Sequence, residues 1–594
     1  MLLWSLAAVA LLLAACGVLA AQALSVRSDL QEAAALAPRL QDQVAEQSIP
    51  EAESTLARLQ ERAGSARAAA SGPLWDAASA LPVVGPSLRA ASAAALAVDS
   101  LAQEALPSLL EVAATVDPAK IMPGQKAKDL APLKAAEPLV ARAAAAARGA
   151  EERLAAVDTD ALLPQLREPL VSARAEVVRL REALDVGEDA VRIAPGLLGA
   201  DGARTYLVLV QNNAESRATG GIPGALVEMT VEDGALSLGR QGSASGLGSF
   251  MPRIEVDPTQ QRIYSTRLGR YMQDVNLTPD FPTSARTAAA MWERSGGRRV
   301  DGVVSVDPVG LARLLAVMGP VELDGEEFAP FRAAGLPTTL TAQNAVKALL
   351  SDVYRVEDTR VQDLYFAAVA RQIFGAFSSS SSSATAQPEA LVRALGGMVE
   401  EGRLLVFSAH EEEQAVIAGW DAGGSVSRTA GSEVRFGAYF NDGTGAKMDY
   451  YMRRTARLEQ KCTPDGSQIV MHVTLKNAAP ADAGRTLPDY VTGRGVFGVP
   501  PGTVQTNVVA YGPRGAGVES VRVNGRSSGL SADVHAGRPL ATTAVRVAPG
   551  QTVAVEVAFS QLPPGALRLD LTPGVQPRSE AVGLTTGALC TEGR

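Results

Sequence analysis

The sequence predicts a multidomain α+β protein with a transmembrane helix, a helical stalk, an α/β central domain and a C-terminal β-sandwich. Three observations carry this expectation. Residues Leu2–Leu24 are nearly continuously apolar, and no charged side chain precedes Arg27. From Ser25 to about Ile193 the chain is rich in Ala, Leu, Glu and Arg without strand-like alternation, which is helical composition. Further on, apolar runs alternate with helical segments, and from about Val434 short alternating segments follow one another between Gly, Pro and Asn. These are the patterns of an α/β layer and of a sandwich. The expected domains are 1–24, 25–195, 196–428 and 429–594.

An apolar run of that length spans a bilayer as a helix, whereas a cleaved signal peptide has a shorter core. Leu13-Ala14-Ala15-Cys16 resembles a lipobox, in which Cys16 is lipidated after cleavage. The run continues past Cys16 to Leu24, so an uncleaved signal-anchor is the favoured reading. With no Lys or Arg before Arg27, orientation rests on the large downstream part, which is expected outside the cytoplasm on a single-pass membrane anchor.

At 594 residues the chain exceeds one core, and 47% hydrophobic with 20% charged residues describes folded domains. A net charge of -9 supplies no basic footprint, which excludes nucleic acid as an expected partner. Three His and three Cys form no metal-ligand cluster. An exported context makes a Cys462–Cys590 disulfide the expectation, with two reduced thiols as the alternative.

Within the stalk, Ser54–Ala70, Leu133–Val157 and Pro164–Leu184 carry apolar residues at three- and four-residue spacing, and Leu81–Pro86 reads as a turn. The central domain begins with Tyr206–Val210, an apolar run suited to a buried strand. It is followed by Gln211–Gly221, read as a polar glycine-rich loop at the strand's C-terminal end, a usual ligand position in open α/β sheets. Asn212, Asn213, Glu215 and Arg217 supply polar and charged groups there, while Gly220 and Gly221 let backbone N–H groups approach an anion. A polar loop that satisfies its own backbone is the alternative.

Ala225–Val231 and Ala235–Gln241 read as a hairpin around Glu232-Asp233-Gly234. Gly242–Pro282 is a long irregular stretch carrying Arg267, and Thr283–Arg294 is a helix that Thr283 would cap. Val300–Asp307 reads as a strand, Pro308–Met318 as a helix and Gly319–Leu323 as a short strand. Ser378–Ser383 reads as a surface loop, and Pro388–Gly419 as a closing helical stretch.

The segment Val300–Leu323, with the loop Gln211–Gly221 and the stretches Asn276–Glu293 and Thr341–Gln362, resembles the LytR-CpsA-Psr phosphotransferase family over about residues 200–377. A resemblance covering almost the whole chain rests on QNNAESRATGG, SVDPVGLARLLAVMGPVEL, NDGTGAKMDYY and LPDYVTG. Those motifs resemble an uncharacterised family of Gram-positive-type envelope proteins, the domain of unknown function four thousand and twelve. The first resemblance implies handling of a polyprenyl-phosphate-linked or cell-wall glycopolymer, with phosphotransfer to the wall assisted by a divalent metal such as Mg. The rival reading is a non-catalytic envelope scaffold.

Phosphate chemistry needs cations, and Arg217, Arg267, Arg286, Arg355 and Arg360 supply them. Carboxylates are fewer in the first loop, where this sequence has Asn212, Asn213 and Glu215; Asp280, Asp352 and Asp358 are the other candidates. Arg217 and Arg360 are the expected phosphate ligands. Asn441–Tyr451 lies just before the sandwich and offers Asp442, Lys447 and Asp449 to the central site, or forms an interdomain turn.

Overall fold

The computed structural model describes residues 2–46, 48–323, 325–378, 387–428, 433–463, 466–563 and 565–585. They form two compact units, Met1–Ile121 with Lys128–Asp201, and Met122–Ala127 with Gly202–Arg594.

The first unit is helical: α1 (Leu2–Ala45), α2 (Ile49–Ala69), α3 (Pro73–Ser79), α4 (Gly85–Ser100), α5 (Leu106–Thr115), α6 (Pro118–Ile121), α7 (Ala131–Ala155) and α8 (Pro164–Leu197). Proline stands in the first turn of α2, α3, α4, α5, α7 and α8, where its missing N–H costs nothing. The alanines of α7 do the packing, with Ala143, Ala144 and Ala147 buried beside Leu184 of α8.

The expected transmembrane helix is corrected here. Among the described residues, no helix is long and apolar enough to cross a membrane. The apolar run is not an element of its own: α1 continues unbroken to Ala45 through Arg27, Asp29 and Glu32. Its Leu19 and Val26 pack against Ala66, Ala70 and Trp75, and buried Asp29 accepts hydrogen bonds from Ser65 and Arg62.

The second unit opens with β1 (Arg204–Arg217), β2 (Gly220–Glu232) and β3 (Ala235–Ser243), followed by α9 (Pro258–Tyr264), α10 (Phe281–Arg294), β4 (Gly302–Val306) and α11 (Pro308–Met318). The short elements β5 (Val321–Glu322), α12 (Ala329–Ala333), β6 (Thr339–Leu340) and α13 (Ala345–Leu350) lead into α14 (Thr359–Ser378). The helix Pro388–Glu400 and the strand β7 (Leu405–Ser408) complete the layer. Sheet order is β3-β2-β1-β4-β7, with β1 and β4 parallel and the other neighbours antiparallel. Asp233 and Gly234 both have positive φ, as a two-residue hairpin turn of the right twist requires.

Period-two alternation divides the faces of β1. Leu207 and Leu209 pack on Phe281, Ala285, Met291 and Trp292, while Val208 and Val210 face α11 and α14. Asp280, not Thr283, caps α10, because the helix starts two residues earlier than expected and places Thr283 in its first turn. Pro388–Gly419 is not continuous helix either: β7 interrupts it and pairs with β4.

β8 (Glu433–Asp442) and β9 (Met452–Thr463) belong to a five-stranded and a six-stranded sheet that face each other, with Phe436 and Phe559 in edge contact at 5.5 Å between them. The serines 379–383 and Cys590 lie outside the described residues, as does the side chain of Cys462, so the expected disulfide falls there too.

Candidate functional site

The stretch expected as a glycine-rich loop is a buried hairpin. β1 runs on through Gln211–Arg217 and turns at Ala218-Thr219 into β2, with Arg217 opposite Gly220 and Ser216 opposite Gly221. A register shift between Asn212 and Ser216 brings Gly221 so close that a Cβ there would lie 2.2 Å from the Asn212 backbone. Gly221 therefore serves strand packing, and its N–H is taken by Gln211 Oε1 at 2.8 Å. Gly220, at φ 139°, sits under the Gln211 amide.

Polar residues survive burial here because the sandwich supplies their partners. Ser216 N–H donates to Asp449 Oδ2 at 2.7 Å and Ala218 N–H to Asn441 Oδ1 at 2.9 Å. Arg454 donates to Ser216 Oγ at 2.8 Å and pairs with Asp449. Lys447 Nζ is 2.6 Å from Glu215 Oε2. The Asn441–Tyr451 stretch thus joins the first hairpin as a polar clasp, contributing both Lys447 and Asp449. Asn213 completes it on the other side, donating to Asp307 Oδ2 at 2.9 Å. Asp307 in turn caps α11 and receives buried Arg403 at 2.7 Å.

Arg217 is buried in this clasp, 2.9 Å from Glu215 and 3.1 Å from Asp274. Arg267 approaches the other Asp274 oxygen at 2.7 Å. Burial alone would raise the Glu215 carboxyl, yet the charges of Lys447 and Arg217 hold it below its usual range. Burial would lower Lys447 and Arg217, yet Glu215 raises the first, and Glu215 with Asp274 raises the second. The paired carboxylates of the clasp do not fit a divalent metal, which needs oxygen ligands not already committed to a cation. Glu215, Asp274 and Asp449 are already neutralised by guanidinium and ammonium groups, and no group of three or more His, Cys, Asp or Glu suited to a cation occurs among the described residues.

Asp442 stands apart. Burial first, then the charges of Asp449 and Glu215, push its carboxyl up to about 7. A carboxyl raised in the folded state holds its proton more tightly there than in the unfolded chain, so its contribution to stability falls as pH rises from about 4 through about 7. Asp442→Asn keeps an acceptor for the N–H groups of Thr444 and Gly445. Its stability is expected to match the parent below about pH 4 and to exceed it by about 1–3 kcal/mol at pH 7, checked by urea unfolding across that range.

Arg360 is elsewhere. It is 88% exposed at the start of α14, pairs with Asp358 at 3.1 Å, and does not converge with Arg217. It lines a mouth of about 430 Å³ in which Asn212, Tyr354, Asp363, Lys447 and Tyr490 stand among apolar Ile222, Leu226, Leu364 and Phe366. Burial raises the Asp363 carboxyl and the Tyr354 phenol, the latter to about 12. Behind the mouth lies an apolar cavity of about 280 Å³ between the sheet and α11, α14 and Pro388–Glu400. Val208, Val210, Leu311, Phe366, Ile373 and Met398 are in its wall, and the two spaces share Asn212, Gly224, Ala225, Val227 and Phe366. Tyr490 and Asp363 carried no chemical signal in the sequence. Tyr490 stands in the quoted LPDYVTG motif, and α14 is amphipathic with apolar Phe366, Ala370 and Ile373 on its cavity side.

Residues 201–354 match the profile of a family described as protein of unknown function (DUF4012). The DUF4012 segment takes in the hairpin, α10, β4 and α11, and stops before Arg360 and the sandwich residues of the clasp. It does not carry the LytR-CpsA-Psr resemblance. No curated protein and no solved structure matches the chain.

Proposed function

We propose that this chain binds a polyprenyl-phosphate-linked glycopolymer outside the cytoplasm, with the isoprenoid chain in the apolar cavity and the phosphate at the mouth. An apolar cavity of about 280 Å³ that shares wall residues with a mouth of mixed lining, where Arg360 and Lys447 stand among apolar side chains, carries this reading. The cavity wall is almost wholly apolar, so an apolar chain that enters it loses contact with water. Each CH₂ of a long apolar ligand buried there contributes about 0.8 kcal/mol. Arg360 gives Nε and Nη2 to Asp358 and keeps its remaining donors in solvent, and Lys447 keeps donors beyond the one given to Glu215.

Binding without transfer is the favoured form of the proposal. The observation behind that preference is the committed state of Glu215, Asp274 and Asp449, which leaves Asp363 as the carboxylate in the mouth's lining. The finer alternative is phosphotransfer in the LytR-CpsA-Psr manner from a pyrophosphate-linked form of the ligand. Asp363 takes the acceptor hydroxyl's proton as that oxygen bonds to the sugar-bearing phosphorus, and the P–O bond to the lipid phosphate breaks so that polyprenyl phosphate leaves.

The test is direct binding of decaprenyl phosphate and of uncharged decaprenol to the purified full chain in detergent micelles. The phosphate is expected to bind more tightly, and Arg360→Ala to weaken it about three- to tenfold, near the lower end for charge-assisted bonds because the side chain is exposed. Equal affinity for phosphate and alcohol would overturn the head-group assignment, and failure of both to bind would overturn the function.

A further inference from the structure

We propose that an open cleft beside the mouth is a saccharide subsite, in which a sugar ring stacks on Tyr490 and its hydroxyls hydrogen-bond to Asp489 and Arg494. The cleft, about 350 Å³, shares Lys447 and Tyr490 with the mouth. A glycan attached to a phosphate at Lys447 enters it directly; that arm of the inference rests on the function proposed above.

Three features give the cleft its chemistry. The Tyr490 ring is held by the Tyr354 ring at 5.7 Å and the Lys447 ammonium at 5.9 Å, yet the residue stays 46% exposed. That is a fixed aromatic surface offered to solvent. Asp489 and Arg494 form an exposed pair at 3.2 Å, leaving carboxylate lone pairs and guanidinium donors for vicinal hydroxyls. Arg494 is held at φ 54° between Gly493 and Gly495, a conformation disfavoured for a residue with a Cβ, and its side chain is 68% exposed.

The charges of the cleft come in opposite pairs. At the base of the cleft Lys447 and Glu215 neutralise each other at 2.6 Å, and at its rim Arg494 and Asp489 do the same. A neutral, polyhydroxylated ring meets such a surface without leaving a surplus charge. The glycine at 445, where a Cβ would lie 2.4 Å from the Phe497 ring, keeps part of the wall as bare backbone.

Two sources fit this chemistry, the ligand's own first sugar and a separate glycan chain, and the experiment separates them. Affinities of the full chain would be measured for decaprenyl phosphate, decaprenyl phosphate carrying one N-acetylglucosamine, and a free β-1,4-linked N-acetylglucosamine oligomer. Tyr490→Ala and Arg494→Ala would be compared with the parent. If the tethered sugar is the ligand, the sugar-bearing lipid binds about tenfold tighter than the bare lipid and Arg494→Ala removes that advantage while bare-lipid binding is retained. If the free glycan is the ligand, the oligomer binds on its own and loses binding in both variants, whether or not any lipid binds. The inference is overturned if neither saccharide affinity responds to either substitution.

Discussion

Asp449→Ala is expected to lower unfolding stability by about 3–5 kcal/mol, the cost of breaking a buried ion pair by removing one partner. The carboxylate is buried, accepts the Ser216 N–H at 2.7 Å and pairs with Arg454, whose side chain is 6% exposed. Its loss leaves a buried guanidinium with Ser216 Oγ and the face of Phe440, at 5.1 Å, as its remaining partners. A buried backbone donor is orphaned at the same time. One term opposes the loss: Asp449 is among the charges that raise Asp442, so its removal relieves that repulsion by about 1 kcal/mol or less. The net effect remains destabilising. Asp449→Asn keeps an oxygen for Ser216 and is expected to lose less, and urea unfolding of both variants beside the parent checks the order. A loss below about 1 kcal/mol in Asp449→Ala would show that the clasp does not hold the hairpin on the sandwich.

The clasp also explains what was legible in the sequence. Local signals placed α11 at Pro308–Met318 and the turn at Asp233-Gly234, because an Asp cap followed by proline, and a positive-φ pair, are written in adjacent residues. The course of β1 beyond Val210 was not legible. Gln211–Arg217 is polar, and its burial depends on Asn441, Lys447, Asp449 and Arg454, which lie more than two hundred residues away. A polar run ending in paired glycines has the local appearance of a loop whichever way those distant groups fall. β7 was missed for a different reason: Leu405–Ser408 is four residues long, too short to show a period between two helices. Arg217 and Arg360 were grouped by charge alone, and charge does not tell a guanidinium already neutralised by Glu215 and Asp274 from one that faces solvent.

Filling the apolar cavity should have the largest effect on ligand binding. Ala370 stands on α14 in the cavity wall, opposite Val208 and Val227 of the sheet. Ala370→Phe adds a ring into space that no side chain occupies, so it displaces little packing, and stability is expected to hold or rise. A ligand chain loses the volume the ring takes. Exclusion of four or five CH₂ groups removes about 3–4 kcal/mol of apolar burial, so decaprenyl phosphate affinity is expected to fall by about a hundred- to a thousandfold. The head group is untouched, so a two-unit prenyl phosphate that reaches only the mouth keeps its weaker affinity. This pattern separates a chain-binding cavity from a packing defect. If Ala370→Phe raises thermal stability and leaves decaprenyl phosphate binding unchanged, the cavity is a void in the core and the ligand binds elsewhere. If long-chain binding is lost while short-chain binding and stability are retained, the space between the sheet, α11 and α14 holds the isoprenoid chain.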